Sequence, residues 1–110
     1  MATTTVVQNP LSWRRVFGDA IPFHIDDANI ASMATNQEDA EAITVTGAAL
    51  GDFVLITPAL DAQTLQFSAT VSAADTVEVV VSNNTGGTID LASQDIWGVV
   101  LKKGNIFDEI

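Results

Sequence analysis

Hydrophobic and polar residues alternate along most of the chain after residue 38, and turn-forming residues separate the alternating segments. A period of two residues is typical of strands that bury one face. The segment Asp52–Thr57 (DFVLIT) is apolar on both faces, which predicts a strand sandwiched between layers. In all, the pattern predicts five short strands: Glu41–Thr46, Asp52–Thr57, Thr64–Ser72, the strand that carries Val77, and Asp95–Lys103.

The stretch from Asp75 to Ser93 shows a strand and its end most fully. Valines at positions 77, 79 and 81 share one face, and the turn formers Asn83–Gly87 follow them. The preceding residues, Ser72–Asp75, are expected to form a hairpin connection. The residues after the turn, Thr88–Ser93, are predicted to cross between sheets, with Ile89 and Leu91 tucked beneath them.

Short strands with little between them predict an all-β fold, either an antiparallel β-sandwich or a jelly-roll-like barrel. In the last strand, Trp97, Val99 and Leu101 share one face, and we expect Trp97 to lie in the core. Helix is expected only in two short pieces, Asp27–Met33 and Asn36–Ala42, where Ala, Glu and Gln concentrate.

The first 38 residues do not follow this pattern. We therefore divide the single compact domain into an N-terminal arm and irregular segment, 1–38, and a β-sandwich, 39–110. Thr3–Val7 favours strand, but Pro10 and Pro22 interrupt any regular continuation.

Two interpretations of this segment stay open: a strand pair packed on the sandwich, or an extended arm that lies on another subunit. A β-prone segment can add a strand to a sheet edge, and Trp and Arg are enriched at binding hot spots. On the second interpretation, the candidate subunit interface comprises Val6, Val7, Trp13, Arg14, Arg15 and Phe17.

The charge balance limits the classes of partner. Four basic and fourteen acidic residues give a formal net charge of -10, which disfavours nucleic acid and anionic membranes, because both are bound through basic groups. The chain has no cysteine, so disulfides and thiolate chemistry are excluded. No signal peptide is expected, since the first ten residues lack a basic start followed by an apolar core.

A search for catalytic or metal-binding residues yields only weak candidates. His24, the only histidine, forms the sequence His-Ile-Asp-Asp with Asp26 and Asp27, but a metal site needs three or four convergent ligands. We therefore interpret His24 as a surface residue in a polar loop and expect no metal or cofactor. Acidic residues at four predicted strand ends are ordinary turn chemistry rather than a glycosidase pair, and no enzyme activity is expected: these are Asp52, Asp75, Asp90 and Asp95.

Three segments resemble a recurrent module in small structural proteins of tailed bacteriophages. They are Val45–Leu55 (VTGAALGDFVL), Val71–Val77, and Asn83–Asp90, followed by a valine-rich closing strand that ends at Lys102. The resemblance covers about the C-terminal sixty residues. It implies a virion protein on the outer capsid surface: a capsid decoration, or cement, protein that binds the major capsid protein, commonly as a homotrimer. The six residues of the candidate subunit interface would then contact the capsid or a neighbouring subunit.

A second interpretation is a receptor- or carbohydrate-binding module of a phage head or tail fibre. Such modules use exposed aromatic platforms, and the chain has only two tryptophans, Trp13 and Trp97. Because Trp97 is expected in the core, the sequence favours the decoration protein over the fibre module.

Overall fold

A computed structural model describes residues 16–30 and 32–108, and these contain six strands and one short 3-10 helix. The predicted all-β class is confirmed. Among these residues, none belongs to a helix long and apolar enough to cross a membrane. The strands are β1 Phe17–Ala28, β2 Gln37–Thr44, β3 Phe53–Pro58, β4 Gln66–Ala73, β5 Thr76–Asn83 and β6 Gln94–Lys103, and the 3-10 helix is Asn105–Asp108.

The strands form two antiparallel three-stranded sheets, with the orders β1-β6-β3 and β2-β5-β4. Of the consecutive strands, only β4 and β5 are neighbours in one sheet, and they form the predicted hairpin. Asp75 in its turn has a φ of 59°, a left-handed conformation that Asp tolerates better than most residues. The segment after β5 crosses to the other sheet as predicted, and Leu91 within it is buried.

The buried side chains of the two sheets meet in two clusters. In one cluster, Val77 and Val79 of β5 contact the same group of residues as Val100 of β6, and Val77 and Val100 are fully buried. The other cluster contains Val81 of β5 and Ile96 of β6. The predicted alternation of β5 is therefore confirmed, and its valine face lines the core.

Strand β1 corrects the prediction that residues 1–38 are irregular and that Pro22 interrupts regular structure. Residues Phe17–Ala28 form a twelve-residue strand that pairs with β6, and Pro22 lies within it opposite Val99. An edge strand tolerates Pro, because it has a partner on one side only. The described part of the predicted arm therefore belongs to a sheet, and residues 1–15 lie outside the described residues.

The two predicted helical pieces are also wrong. Gln37–Thr44 is strand β2, and Asn36 just before it has a φ of 63°, which is incompatible with a right-handed helix. The first piece, Asp27–Met33, begins in the last residues of β1, where Asp27 has a φ of 50°. The helix preference of Ala, Glu and Gln is overridden here by the eight residue pairs that β2 makes with β5.

Asn83 fixes the turn after β5 from inside the protein. Its fully buried side chain donates from Nδ2 to the carbonyl oxygens of Met33, at 2.8 Å, and Gly87, at 2.9 Å. Its Oδ1 accepts from the backbone N–H and the hydroxyl of Thr85. The Asn83-Asn84-Thr85 sequence matches a glycosylation sequon, yet its acceptor nitrogen is engaged in these internal bonds.

Candidate docking face

Strand β3 presents apolar side chains to solvent. The sequence predicted that this segment is sandwiched between layers, but β3 is an edge strand of the sheet β1-β6-β3. Val54 and Ile56 pack against the core, whereas Phe53, Leu55 and Thr57 point away from it, and Leu55 is 61% exposed. Half of the apolar pattern of β3 therefore lies on the outside of the sheet.

The other two strands of this sheet also place apolar residues on the side that faces away from the core. Directly opposed residues of antiparallel strands share a face, so the register places Leu55, Val99 and Pro22 in one row. We call the resulting surface the outer face. It consists of three rows, Phe53–Leu101–Ala20, Leu55–Val99–Pro22 and Thr57–Trp97–His24.

Seven of the nine outer-face residues are apolar, the exceptions being Thr57 and His24. A solvated face of an antiparallel sheet is normally polar. Exposed apolar side chains gathered on one face can form a binding site, and we therefore take the outer face as the candidate docking surface.

Trp97 lies on the central strand of this surface, in the row that also contains Thr57 and His24. Its side chain is 51% exposed, so the prediction that it lies in the core is wrong. Leu55, Val99 and the Trp97 ring line an open depression of about 310 Å³ on one side. Pro22 and His24 line another depression, of about 440 Å³, on the other side.

Gly98 explains why Trp97 faces outward. A Cβ atom at Gly98 would lie 2.2 Å from Cζ of Phe23, so the Phe23 ring fills the inner side of the sheet directly beneath Gly98. This close approach fixes which side of β6 faces the core. Because side chains alternate along a strand, the neighbouring Trp97 must project from the opposite side.

Aromatic rings close one end of the outer face. The Phe53 ring contacts Phe17 edge to face, with centroids 5.3 Å apart, and lies 5.7 Å from the Phe107 ring. Phe17 is the one member of the predicted interface among the described residues. The other members, Val6, Val7, Trp13, Arg14 and Arg15, lie outside the described residues. The outer face therefore extends to the point where residues 1–15 join β1.

Three titratable side chains converge at the opposite end of the face. His24 and Asp26 project from β1 and Asp95 from β6, and one ligand atom from each lies within 4.8 Å of the others. Nε2 of His24 is 3.2 Å from Oδ2 of Asp95. His24 is exposed as predicted, but it lies in a strand rather than a loop.

Asp95 is held in place by the backbone of β1. Its Oδ1 accepts a 2.9 Å hydrogen bond from the N–H of Asp27, at the register irregularity between Ile25 and Ala28. This bond, followed by the one with His24, lowers the pKa of the Asp95 carboxyl. The sequence pointed to His24 and Asp26 together and to Asp95 only as a strand-end acid, since Asp95 lies far along the chain from His24.

The other predicted strand-end carboxylates have structural roles or lie apart from this cluster. Asp52 bonds to Lys102 and to two backbone N–H groups, and Asp75 accepts from the N–H of Gly47. Among residues 16–30 and 32–108, the group of His24, Asp26 and Asp95 is the one set of three or more potential metal ligands that lie close together. The described surface thus offers an apolar docking area with a polar cluster at its edge.

Comparison of the chain with protein families, curated proteins and solved structures found no match. The interpretation of the outer face therefore rests on the residues of this chain and on their geometry.

Proposed function

We propose that this chain is a structural protein of a tailed bacteriophage virion, a capsid decoration protein that binds the assembled shell and stabilises it. The observation that carries the proposal is the apolar outer face of the sheet β1-β6-β3. Trp97 and Leu55 are exposed and can act as binding anchors. Trp is enriched at binding hot spots. Burying the apolar surface of either side chain contributes about 25 cal/mol per Å² to binding.

The size of the outer face indicates how binding would be achieved. Three strands about 4.8 Å apart, each contributing five residues at about 3.3 Å per residue, cover roughly 240 Å². A stable protein interface buries about 800 Å² on each partner. Further contacts are therefore required, and residues 1–15 supply them in this proposal through Val6, Val7, Trp13, Arg14 and Arg15.

Oligomerisation would add to the same effect. A homotrimer presents three outer faces to a multivalent shell, so the second and third contacts form at a high effective concentration. A ligand that binds only the assembled shell stabilises that shell according to its affinity and concentration. Moderate contacts, repeated over many shell subunits, are sufficient for such a role.

The fold is consistent with this role. Each of the two buried clusters contains side chains from both sheets, as in a β-sandwich. We retain that assignment, with a jelly-roll-like arrangement as the alternative. Such a module is rigid, and the net charge of -10 keeps separate copies soluble before they reach the shell.

Shell binding by variants of the full chain tests the proposal. Trp97→Ala and Leu55→Ser are expected to weaken co-sedimentation with capsid shells at least about ten-fold, since each loses an exposed anchor. Thr70→Ala is the matched control, because Thr70 is an exposed, outward-pointing strand residue on the other sheet. Equal binding by all three variants and the unaltered chain would remove the outer face from the proposal.

The N-terminal contribution is tested separately by a chain lacking residues 1–15. It retains all of β1, so it is expected to fold and to lose shell binding. Full decoration by this chain would exclude residues 1–15 as an attachment element. Sedimentation equilibrium of the full chain tests the trimer, and a monomer that is also absent from shells would contradict the main proposal.

One observation favours a second candidate, a receptor- or carbohydrate-binding module of a head or tail fibre. Trp97 is exposed between two depressions, with His24 and Thr57 beside it, an arrangement that can stack a sugar ring and bond its hydroxyls. A glycan array probed with the full chain distinguishes the two. Glycan binding that Trp97→Ala abolishes, without shell binding, supports the fibre module.

A further inference from the structure

The cluster at the edge of the outer face has the composition of a metal site. Strand alternation puts His24 and Asp26, two residues apart on β1, on the same side as Trp97. Asp95, two residues before Trp97 on β6, lies on that side too. Three potential ligands therefore converge because of the register between β1 and β6.

The spacing of the ligand atoms fits a small cation. A tetrahedral zinc ion with bonds of about 2.0 Å holds its ligand atoms about 3.3 Å from one another. Nε2 of His24 and Oδ2 of Asp95 are 3.2 Å apart. One ligand atom from each of His24, Asp26 and Asp95 lies within 4.8 Å of the other two. Only the exposed side chain of Asp26 has to turn toward the centre to complete the set.

Asp95 is already oriented for this role. The N–H of Asp27 holds its Oδ1, which leaves Oδ2 directed at His24. Second partners of this kind fix the direction of a ligand and are typical of protein metal sites. The side chains are anchored on two paired strands, so their backbone positions are set by the sheet.

The charge at this end of the sheet also favours a cation. Two carboxylates lie close together beside the imidazole of His24, and Asp27 is next to them in the chain. The lysines of the described chain, Lys102 and Lys103, are at the far end of β6, about 23 Å away along the strand. A divalent ion would relieve the repulsion that these carboxylates exert on one another.

We propose that His24, Asp26 and Asp95 bind a divalent first-row transition metal of the Zn²⁺ type, with Nε2 and two carboxylate oxygens as ligands and solvent at the fourth position. The imidazole selects this class of ion, because Ca²⁺ and Mg²⁺ take oxygen ligands. On binding, the metal replaces the hydrogen bond between His24 and Asp95, and the single proton of the neutral ring resides on Nδ1. The metal site shares His24 with the outer face, but the proposal does not depend on the docking role proposed above.

Zinc chloride added to the full chain tests the proposal, with binding followed by calorimetry and by NMR of the histidine ring. His24 is the only histidine, so its ring signals identify the ligand without further assignment. We expect one ion per chain and a shift of the Nε2 resonance. His24→Ala, Asp26→Asn and Asp95→Asn should each weaken binding at least about ten-fold.

Asp90→Asn is the matched control, since Asp90 is exposed and lies outside the cluster, and it should bind zinc like the unaltered chain. Circular dichroism checks that each variant is folded, and His24→Gln provides a second, more conservative change. Undetectable zinc binding overturns the proposal. Equal zinc affinity of His24→Ala and the unaltered chain would also overturn it, and so would Ca²⁺ binding as tight as Zn²⁺ binding. Either result would show that the carboxylates attract cations in general and that the imidazole is not a ligand.

Discussion

The ammonium group of Lys102 contacts Oδ2 of Asp52 and also donates to the carbonyl oxygen of Gly47, 2.9 Å away. Asp52 in turn accepts from the backbone N–H groups of Ala49 and Lys103. These bonds tie the turn between β2 and β3 to the end of β6, and the Asp52 side chain is 5% exposed. One carboxylate thus joins the turn after β2 to the end of β6.

This arrangement predicts a specific sensitivity to acid. Burial opposes ionisation of Asp52, but the bond from Lys102 and those from the backbone outweigh it, and the pKa of Asp52 is lowered from 3.8. The carboxylate therefore stabilises the fold fully above pH 3.8, and this contribution is lost as the pH falls through the lower folded-state pKa.

Asp52→Asn should lower the free energy of unfolding at pH 7 by about 2 kcal/mol, the usual value of hydrogen bonds to a charged group. Urea unfolding at pH 7 and at successively lower pH measures the effect. The variant and the unaltered chain should approach each other in stability at the acid end. Asp90→Asn is the control, and a constant difference at every pH would contradict the argument.

The contact between Gly98 and Phe23 predicts strong coupling. Gly98→Ala places a methyl group where the Phe23 ring now lies, so the ring or the sheet must move, at a cost of about 1–3 kcal/mol. Phe23→Leu should relieve this clash. A double-mutant cycle on unfolding free energies measures the relief. Strictly additive effects would show that the two positions do not oppose one another.

The buried amide of Asn83 predicts that the turn after β5 depends on one side chain. Asn83→Ala removes two donated hydrogen bonds and leaves the buried carbonyl of Met33 without that donor, so the free energy of unfolding should fall by about 2–3 kcal/mol. Its neighbour Asn84 is exposed, and Asn84→Ala should change stability by less than about 0.5 kcal/mol. Thermal unfolding of both variants makes the comparison, and similar losses would contradict it.

Two leucines on the outer face should behave differently. Leu101 is 8% exposed, because it lies in the row of Phe53 at the aromatic end, whereas Leu55 is 61% exposed. Leu101→Ala should cost about 2–4 kcal/mol, and Leu55→Ala less than about 0.5 kcal/mol. Urea unfolding tests this pair. An equally large loss for Leu55→Ala would indicate that the middle of the outer face is covered within the chain itself.

The sequence correctly predicts those strands in which every core-facing position is apolar. Val77, Val79 and Val81 mark β5 without ambiguity. The first half of strand β2 does not show this pattern. Asp39 lies opposite Val81 and Glu41 lies opposite Val79, so two acidic residues share the face of these valines. Inward charges of this kind occur on edge strands, where they hinder further pairing, but in a sequence they hide the alternation.

Strand β1 and the outer face were harder to predict, for other reasons. Ile21, Phe23 and Ile25 alternate clearly, and Pro22 obscured this signal. Both faces of β6 are apolar, so its sequence does not indicate which face is buried. The contact of Gly98 with Phe23 decides this, and it joins residues far apart in the chain.

The sequence identified only part of the candidate metal site, because strand pairing brings together residues that are far apart in the chain. His24 and Asp26 are neighbours on one strand, and local spacing suffices to find them. Asp95 joins them only through the register of β1 on β6, with irregularities between Phe17 and Ala20 and between Ile25 and Ala28. A shift of one residue in that register would direct Asp95 to the other side of the sheet.

The central strand of the sheet β1-β6-β3 is the last of the described strands in chain order, which has a consequence for protein synthesis. While the ribosome is still translating, β1 and β3 have no partner, whereas β2, β4 and β5 can already pair. The nascent chain must therefore keep two apolar strands from aggregating until residue 103 has left the exit tunnel. A chain stopped after residue 93 should consequently remain soluble only with chaperone assistance, which pelleting assays in a chaperone-free translation system would reveal.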